Sequence, residues 1–472
     1  MLMKSFYNHF TKITYTIFLY AFGIILPLYF NDLYFDMMSA KANIYFLFTK
    51  ILIIPVLIIL ILKLILKKFN KKEFVLTILL LILLITSFIS CIFARNIEYA
   101  FTGEKGWYIG FLTIASIIVY IVCFKDIRLK EIYYYPLIIC VAFIYLCGIL
   151  HSFEIDVLGL HENILAVSYH KYLSTIGNIN WYTGYLALTV PLFVGLYLKE
   201  IDKKKKLIFS IVSILGVISI SMLGSDGIFL GLGVLSFFIV PYIFSDKEKV
   251  NRFSILIFFF DLGLLFARIL NYCIDGYANL LRRLIVILPI LLLAIILFIF
   301  SKYIKEETYK KISSKVIISI EILLIVSVLI FIILAINKND NEWGTGRIAI
   351  FIDSLKLYVN LPLKEQILGI GEELLYLIYR PLNERYNGIY LSSHSEWIQL
   401  LLTGGIINVV SYQTCWLYVF YTFLKQKTWK NNTPMYFGLI CYFGQSFVNS
   451  MTIVNVAILS IILTIFIAKE IN

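Results

Sequence analysis

Apolar runs of about 20 residues, the length that crosses the hydrocarbon core of a bilayer, follow one another along almost the whole chain. Apolar side chains make up 61% of the residues, against roughly 45 to 50% in soluble domains. Membrane barrels have shorter segments of alternating polarity, and these runs do not alternate. Because only helices then satisfy the backbone in lipid, the sequence predicts an all-α, polytopic integral membrane protein.

The runs predict about fourteen membrane-spanning helices within a single membrane domain, residues 1–472. The first run, Ile13 to Phe30, is long and lacks a small-residue cleavage site, so we expect a retained helix and not a signal peptide. The predicted spans are 13–30, 44–66, 74–94, 107–124, 132–150, 181–199, 207–223, 227–244, 253–271, 284–300, 316–336, 397–423, 435–449 and 452–468.

Lysine and arginine are distributed unevenly between alternate loops, which predicts the orientation in the cell membrane. In this register 27 of the 41 basic residues lie on one side, and the positive-inside rule makes that side cytoplasmic. Both termini are then cytoplasmic, and an outer loop 151–180 and a large outer loop 337–396 face outward. The net charge of +12 comes from the inner clusters. These clusters suit anionic membrane lipids, so no nucleic-acid partner is implied.

The large outer loop is the only long polar segment, and it begins near a candidate anion site. Arg347 follows Gly344-Thr345-Gly346 and opens an amphipathic run whose apolar positions recur at helical spacing. With Thr345 as N-cap, a cation would stand beside free backbone N–H groups, a combination that suits phosphate. The alternative is an arginine that reaches the lipid headgroups at the membrane surface.

The same loop ends in a candidate general base. Ser393 and Glu396 have the spacing of a capping box before the apolar run that starts at Trp397, which predicts His394 at the first helical position. The positive end of the helix dipole would keep the imidazole neutral, as a base at neutral pH requires. Glu396 would cap the helix or orient His394. The alternative is an interfacial histidine beside Trp397.

Metal and nucleotide chemistry are not predicted. His151, His161 and His170 are spaced by ten and nine residues, and neither spacing places the rings on one helical face. The seven cysteines lie in or beside apolar runs without paired spacing in a loop. Since no nucleotide-binding loop occurs either, we expect no metal, no cofactor and no ATP-driven step.

The motifs of the large outer loop resemble those of the O-antigen ligase and O-antigen polymerase superfamily. That family has a Gly-Arg pair, a helix followed by proline, a Gly-x-Gly turn, and a histidine before an apolar helix. The matching residues are Gly346-Arg347, Pro362, Gly369-Ile370-Gly371, and His394 followed by Gln399, Leu400 and Gly404-Gly405. Two further stretches agree, Gly177-Asn178-Ile179-Asn180 at a helix entry and Gly103 to Gly110 between two early helices.

The resemblance implies a GT-C-like membrane glycosyltransferase that acts on the extracytoplasmic face without metal. Members take a glycan from undecaprenyl diphosphate and pass it to an acceptor hydroxyl. By position, His394 matches the family's candidate base and Arg347 the arginine expected to hold the diphosphate. The resemblance also implies membrane lipids, a chain-length regulator and a flippase of the same pathway as partners.

Further candidates complete the predicted substrate site. Arg95, Lys105 and Lys171 are outer-loop cations that could assist Arg347, because fixed cations stabilise the charge on a departing diphosphate. Asn178 and Asn180 belong to the helix entry, and Asp226 to a turn, Gly224-Ser225-Asp226-Gly227, where many members have Ser-Arg-Gly. This turn departs from the family by placing an anion where a cation is usual.

Two classes of function compete to explain the sequence. The chain is enriched in Ile, Lys, Asn and Tyr, which suggests an AT-rich coding sequence and is compatible with a cell lacking lipid A. A polymerase of carrier-linked repeats is therefore favoured over a ligase, which needs lipid A as acceptor. A lipid-linked oligosaccharide flippase, or another transporter with twelve to fourteen helices, is the alternative. A transporter is expected to show related halves and midplane charges. The polar residues are instead concentrated in one asymmetric outer loop, which favours an enzyme.

Overall fold

The structure is a computed structural model, and it describes most but not all of the chain. The described residues are 2–31, 33–34, 36–66, 68, 74–103, 106–125, 127–223, 225, 227–275, 277–310, 315–320, 322, 326, 347–371, 392–425 and 429–470. Helices account for 82% of the structure, which confirms the all-α prediction. The described helices are α1 Leu2–Leu28, α2 Met37–Ile65, α3 Phe74–Phe93, α4 Ile97–Thr102, α5 Phe111–Phe124, α6 Tyr135–Ser152, α7 Ile179–Lys199, α8 Lys203–Met222, α9 Gly227–Ile243, α10 Lys247–Asp275, α11 Tyr277–Tyr303, α12 Arg347–Asn360, α13 Leu363–Leu368, α14 Glu396–Lys425, α15 Trp429–Ser446 and α16 Ile453–Glu470.

Eight of the described helices are long and apolar enough to cross a membrane, as a multi-pass membrane protein requires. Four shorter apolar helices lie among the same residues. Several boundaries differ from the prediction: α1 begins at Leu2 and not at residue 13, and α4 was not predicted. The predicted span 316–336 falls mostly outside the described residues.

The described chain divides into two compact units. The first comprises Met1–Leu137, Asn341–Thr433 and Ser446–Asn472. In this unit α14 packs against α3, α12 and α13, and α16 packs against α2 and α5. The buried Lys41 donates hydrogen bonds to the carbonyls of Leu26, Pro27 and Tyr29, at 3.1, 2.8 and 2.8 Å. A cation at a helix C-terminus is favourable, and here it closes α1.

The second unit comprises Ile138–Asp340 and Pro434–Gln445. Its centre is α7, which packs against α8, α9 and α10 and buries most of its residues. The buried Arg252 of α10 donates to the carbonyls of Tyr197 and Glu200, each at 2.7 Å, and so closes the C-terminus of α7. Before α7, β1 (Tyr172–Leu173) and β2 (Gly177–Asn178) pair as a two-stranded antiparallel hairpin.

Candidate functional site

The helix α14 is broken at Gly405. Gly405 has a φ of 71° inside the helix, so the carbonyls before it lose their helical partners. A separate segment supplies new partners: the N–H of Ile370 donates to the Leu402 carbonyl at 2.9 Å, and that of Gly371 to the Thr403 carbonyl at 3.1 Å. The Gly369-Ile370-Gly371 segment therefore binds to the broken helix.

The glycines at this junction are required by space as well as by conformation. Gly369 has a φ of 83°, and a Cβ there would lie 2.1 Å from the Thr403 carbonyl oxygen. A Cβ on Gly405 would lie 2.2 Å from the Ile367 carbonyl oxygen. Any side chain would separate the two backbones, so both glycines maintain the close approach of α13 and α14.

His394 lies in a strained turn just before α14. Its φ of 52° is left-handed, which is uncommon for a residue with a side chain, and its N–H donates to Ser392 Oγ at 3.3 Å. The helix is capped by Ser395, whose carbonyl accepts from Gln399 N at 2.9 Å and whose Oγ accepts from Ile398 N at 3.5 Å. The predicted Ser393–Glu396 capping box is wrong, because the helix begins two residues after His394.

Arg347 and His394 interact electrostatically. Partial burial of the ring, together with the positive charge of Arg347, lowers the pKa of His394 to about 4. This lower pKa favours the neutral imidazole at pH 7, and its causes are burial and the neighbouring cation. Arg347 is the first described residue of α12 and is partly buried.

A small apolar cluster holds α12 in position. Ile350 of α12 is 1% exposed and is buried with Leu361, Ile370 and Leu402. Leu402 belongs to α14 and Ile370 to the segment bound at its break. The same packing that docks the Gly-Ile-Gly segment thus places the beginning of α12 near the turn of His394.

Glu396 is a buried acid at the first position of α14. Its side chain is 2% exposed, and Oε2 accepts a hydrogen bond from the Tyr412 hydroxyl at 3.2 Å. Its backbone N–H donates to the carbonyl of Asn449 at 3.0 Å. The buried side-chain amide of Asn449 has no hydrogen-bond partner within the described residues. Sequence analysis did not identify Asn449 or Tyr412, because both are distant in sequence from His394; Tyr412 lies within α14 and Asn449 in the turn after α15.

A cleft opens beside Glu396 and contains about 730 Å³ of empty space, including the part open to solvent. It extends along α14 past the helix break and is bounded by α3 and by the loop between α4 and α5. Its lining includes Ser392, Glu396, Gln399, Asn408, Ser87 and Trp107. Trp107 and Asn408 were not predicted as site residues, although Gly103–Gly110 and Gly404-Gly405, both quoted for the resemblance, lie at or near them.

Arg95 has a different contact from the one predicted. Its guanidinium forms a bidentate ion pair with Glu365, with Nε 2.6 Å from Oε1. Its backbone N–H also donates to the carbonyl of Ile370 at 3.2 Å. Arg95 thus connects α13 and the residue Ile370 after it to the turn before α4. Its charge is balanced by the carboxylate of Glu365.

The remaining predicted substrate-binding residues fall into two groups. Lys171, Asn178 and Asn180 belong to the second unit, where Lys171 is exposed at the end of a 3-10 turn. Asn178 is the N-cap of α7, and its Oδ1 accepts from the Asn180 N–H at 2.8 Å. Lys105 and Asp226 lie outside the described residues.

Two of the three loop histidines come together, contrary to the expectation from their spacing. The rings of His151 and His161 lie 4.7 Å apart, with Asp156 Oδ1 3.3 Å from His151 Nε2 and Asp156 Oδ2 3.4 Å from His161 Nδ1. These three donor groups lie within 4.8 Å of one another. Imidazole and carboxylate are zinc ligands by type, and the exposed His170 is not part of this cluster.

The hydrogen bonds of the cluster do not suit a metal. Ser174 N donates to His151 Nδ1 at 3.1 Å, so a neutral His151 carries its hydrogen on Nε2 and donates it to Asp156. A metal bound at Nε2 would move that hydrogen to Nδ1, against the Ser174 N–H. His161 N also donates to Asp156 at 2.6 Å. The residues fit a hydrogen-bonded support for the loop after α6 better than a metal site.

The chain was compared with protein-family models, with curated proteins and with solved structures, and no match was found in any of the three.

Proposed function

We propose that the chain is a membrane glycosyltransferase of the O-antigen polymerase and ligase type, with a GT-C-like fold and about fourteen spans. It would transfer glycan from an undecaprenyl-diphosphate carrier to an acceptor hydroxyl on the extracytoplasmic face, with both termini cytoplasmic. One observation carries the proposal: a histidine in a strained turn has a pKa lowered by burial and by a neighbouring arginine, and it lies two residues before Glu396, which lines a cleft. Strained residues and groups with a shifted pKa cluster at functional sites.

The proposed reaction needs one base and one cation. His394 accepts the proton of the acceptor hydroxyl while the oxygen attacks the anomeric carbon, and the bond from that carbon to the diphosphate oxygen breaks. The bonding electrons leave with the diphosphate, whose developing charge Arg347 stabilises. Glu396, buried at the cleft and bonded to Tyr412, would position the acceptor hydroxyl. A growing glycan is the favoured acceptor.

The first prediction concerns the two principal residues. Replacing His394 by Ala should reduce transfer by about 10² to 10⁴-fold, the usual contribution of a general base. Arg347→Lys should retain part of the activity if charge alone matters, and little if both guanidinium nitrogens contact phosphate. The assay is conversion of carrier-linked repeats, extracted from the producing cell, into longer chains by the purified protein without nucleotide sugar or metal.

Lys356→Ala is the matched control, because Lys356 is an exposed cation of the same helix, paired with Asp353 at 3.5 Å. It should keep the parent rate. Size-exclusion profiles would establish that the variants fold. If His394→Ala and Arg347→Ala both make polymer at the parent rate, the enzyme proposal is wrong.

The break in α14 supports a second candidate, a lipid-linked oligosaccharide flippase or other transporter. Discontinuous helices that line a cavity are a recurring feature of transporters, and Gly404 and Asn408 flank the break and line the cleft. A flippase would move labelled carrier lipid across a proteoliposome membrane and leave the length of its glycan unchanged. The strained His394 beside Arg347 favours the enzyme.

A further inference from the structure

The hairpin before α7 is attached to the end of α6 through a histidine ring. Ser174 lies in the turn between β1 and β2, and its N–H donates to His151 Nδ1 at 3.1 Å. Its Oγ donates to the Ile144 carbonyl of α6 at 2.7 Å. Ser174 has a left-handed φ of 58°, a conformation that surrounding contacts must enforce. The two bonds to α6 contribute to that enforcement.

The carboxylate of Asp156 is shared by His151 and His161. Both rings are buried, with side-chain exposures of 2% and 4%, and their centroids lie 4.7 Å apart. Asp156 is itself held in place, because Oδ2 accepts from the His161 N–H at 2.6 Å and Oδ1 from the Leu158 N–H at 3.3 Å. One negative charge therefore stands at a fixed position between two imidazole rings.

The partners of each ring determine where its hydrogens lie. His161 Nε2 is 3.0 Å from the Tyr172 carbonyl, so this nitrogen carries a hydrogen, while Nδ1 faces Asp156. His151 has its acceptor at Nδ1, toward Ser174, and its hydrogen at Nε2, toward Asp156. An imidazolium has two N–H donors and no acceptor. His151 can therefore make both contacts only while it is neutral.

The charge of the cluster limits how many protons it can bind in this arrangement. A first proton, placed on His161 Nδ1 opposite Asp156, would leave the three side chains with no net charge. A second, on His151, would leave one buried positive charge without compensation, which is costly. Other groups around the cluster are the thiol of Cys147 and the phenols of Tyr169 and Tyr182, which are uncharged in acid, and the exposed Glu154, Glu162 and Lys171.

We propose that the cluster of His151, Asp156 and His161 is an acid-sensitive latch, which holds the hairpin while His151 is neutral and releases it when His151 binds a proton. The proton comes from water and binds Nδ1, the atom that accepts the Ser174 N–H. Two donors then face each other, and the bond between the hairpin and α6 breaks. Histidine is the side chain suited to such a switch, and histidine clusters act as pH sensors in this way.

Release of the hairpin would act on the start of α7, the central helix of the second unit. Tyr172, whose carbonyl contacts His161, pairs with Asn178 across the hairpin. Asn178 is also the N-cap of α7. In the predicted register the loop 151–180 faces outward, so the latch would respond to the pH outside the cell. It does not depend on the proposed transfer reaction.

Hydrogen–deuterium exchange of the purified full chain in phosphatidylcholine vesicles tests the latch. The exchange of residues 172–178 is followed between pH 7 and pH 4, with EDTA present and with correction for the intrinsic pH dependence of exchange. We expect the protection of the hairpin to fall about tenfold or more, because a tenfold difference in proton affinity between the closed and open states has that effect. The interior of α7, residues 186–194, should stay protected.

His151→Gln separates the latch from general acid sensitivity. Glutamine offers one acceptor and one donor but binds no proton in this range, so the hairpin should stay protected at pH 4. His170→Gln is the matched control, because His170 is an exposed histidine of the same loop outside the cluster. It should open like the parent, as should His394→Gln.

Histidine-ring NMR of the parent keeps the test decisive if His151→Gln does not close at pH 7. The His151 resonances, assigned by their absence from that variant, should titrate at the same midpoint as the exchange of the hairpin. Different midpoints would overturn the latch, as would equal protection at pH 7 and pH 4 in the parent. Loss of protection in α7 at the same pH would show unfolding of the unit, and a hairpin that is protected only with added zinc would show a metal site. Either result would also overturn it.

Discussion

At the scale of single residues, the low pKa of His394 raises a question about its role as a base. A pKa of about 4 keeps the ring neutral but makes it a weak base at pH 7. Burial is the first cause and the charge of Arg347 the second. A diphosphate bound at Arg347 would offset that charge, so donor binding should raise the pKa of His394 and strengthen the base at the moment it is needed.

The pH dependence of transfer tests this coupling. The acid limb of kcat/KM reports the free enzyme and should have an apparent pKa near 4, whereas the limb of kcat reports the donor complex and should lie at higher pH. In Arg347→Ala the pKa of His394, followed by histidine-ring NMR, should rise. Lys356→Ala, which removes another cation of α12, should leave the pKa of His394 unchanged. If the acid limbs of kcat and kcat/KM have the same apparent pKa, donor binding does not raise the pKa of His394.

The same shift predicts how stability depends on pH. The pKa of His394 in the folded state lies below its value of about 6.5 in an unfolded chain. Between these values the unfolded state binds more protons, so the free energy of unfolding falls as the pH is lowered from about 6.5 to 4. Above about pH 6.5 the histidine should contribute no pH dependence. When the pH is lowered across this window, the melting temperature should fall less in His394→Gln than in the parent.

At the scale of elements, the junction of α13 and α14 is the feature most sensitive to substitution. Gly405→Ala places a side chain at a φ of 71° and 2.2 Å from a carbonyl oxygen. Backbone strain alone costs about 1–3 kcal/mol, and relief of the overlap would break the bonds that Ile370 and Gly371 make to α14. We expect a lower melting temperature and a loss of transfer.

Gly233→Ala provides the comparison within a regular apolar helix. Gly233 lies in α9, its φ is not positive, and nothing lies within 4 Å of a Cβ built there. Alanine is a better helix former, so this variant should be stabilised by about 0.5–1 kcal/mol. If the two variants melt at the same temperature, the helix break does not contribute to stability.

The sequence predicted the helices much better than this junction. Apolar runs of membrane length report helices directly, since lipid leaves the backbone no alternative. The break at Gly405 lies inside such a run, and its cause is a pairing with Ile370 that is not local. The cap was misassigned for a simpler reason: Ser392, Ser393 and Ser395 are all good N-caps, and only tertiary contacts select Ser395.

Long-range contacts also explain which site residues could not be predicted. Arg95 and Glu365 are 270 positions apart, and no local pattern indicates that they pair. His151 and His161 meet because Asp156, in the turn between them, accepts hydrogen bonds from both segments. By contrast, His394 and Arg347 each stand at a polar-to-apolar boundary. Such a boundary is a local signal, so the sequence alone is sufficient to single out both residues.

At the scale of the whole molecule, orientation in the membrane decides whether the proposed site can meet its substrate. Carrier-linked glycans are polymerised outside the cytoplasm in the proposed reaction, so Arg347, His394 and the cleft must open outward. In the predicted register 27 of the 41 basic residues lie on one side, and the positive-inside rule predicts that this side is cytoplasmic. It predicts that residues 337–396 are extracytoplasmic and that Lys203–Lys206 are cytoplasmic.

Single-cysteine labelling in intact cells measures this directly. The native cysteines are first replaced, and those at 91, 123, 140, 147 and 441 are buried and so poorly reachable in any case. A cysteine at Asn387 should react with a membrane-impermeant maleimide in intact cells, and one at Lys204 only after permeabilisation. The opposite pattern would place Arg347 and His394 on the cytoplasmic side, away from extracytoplasmic acceptors, and would remove the basis for the proposed transferase.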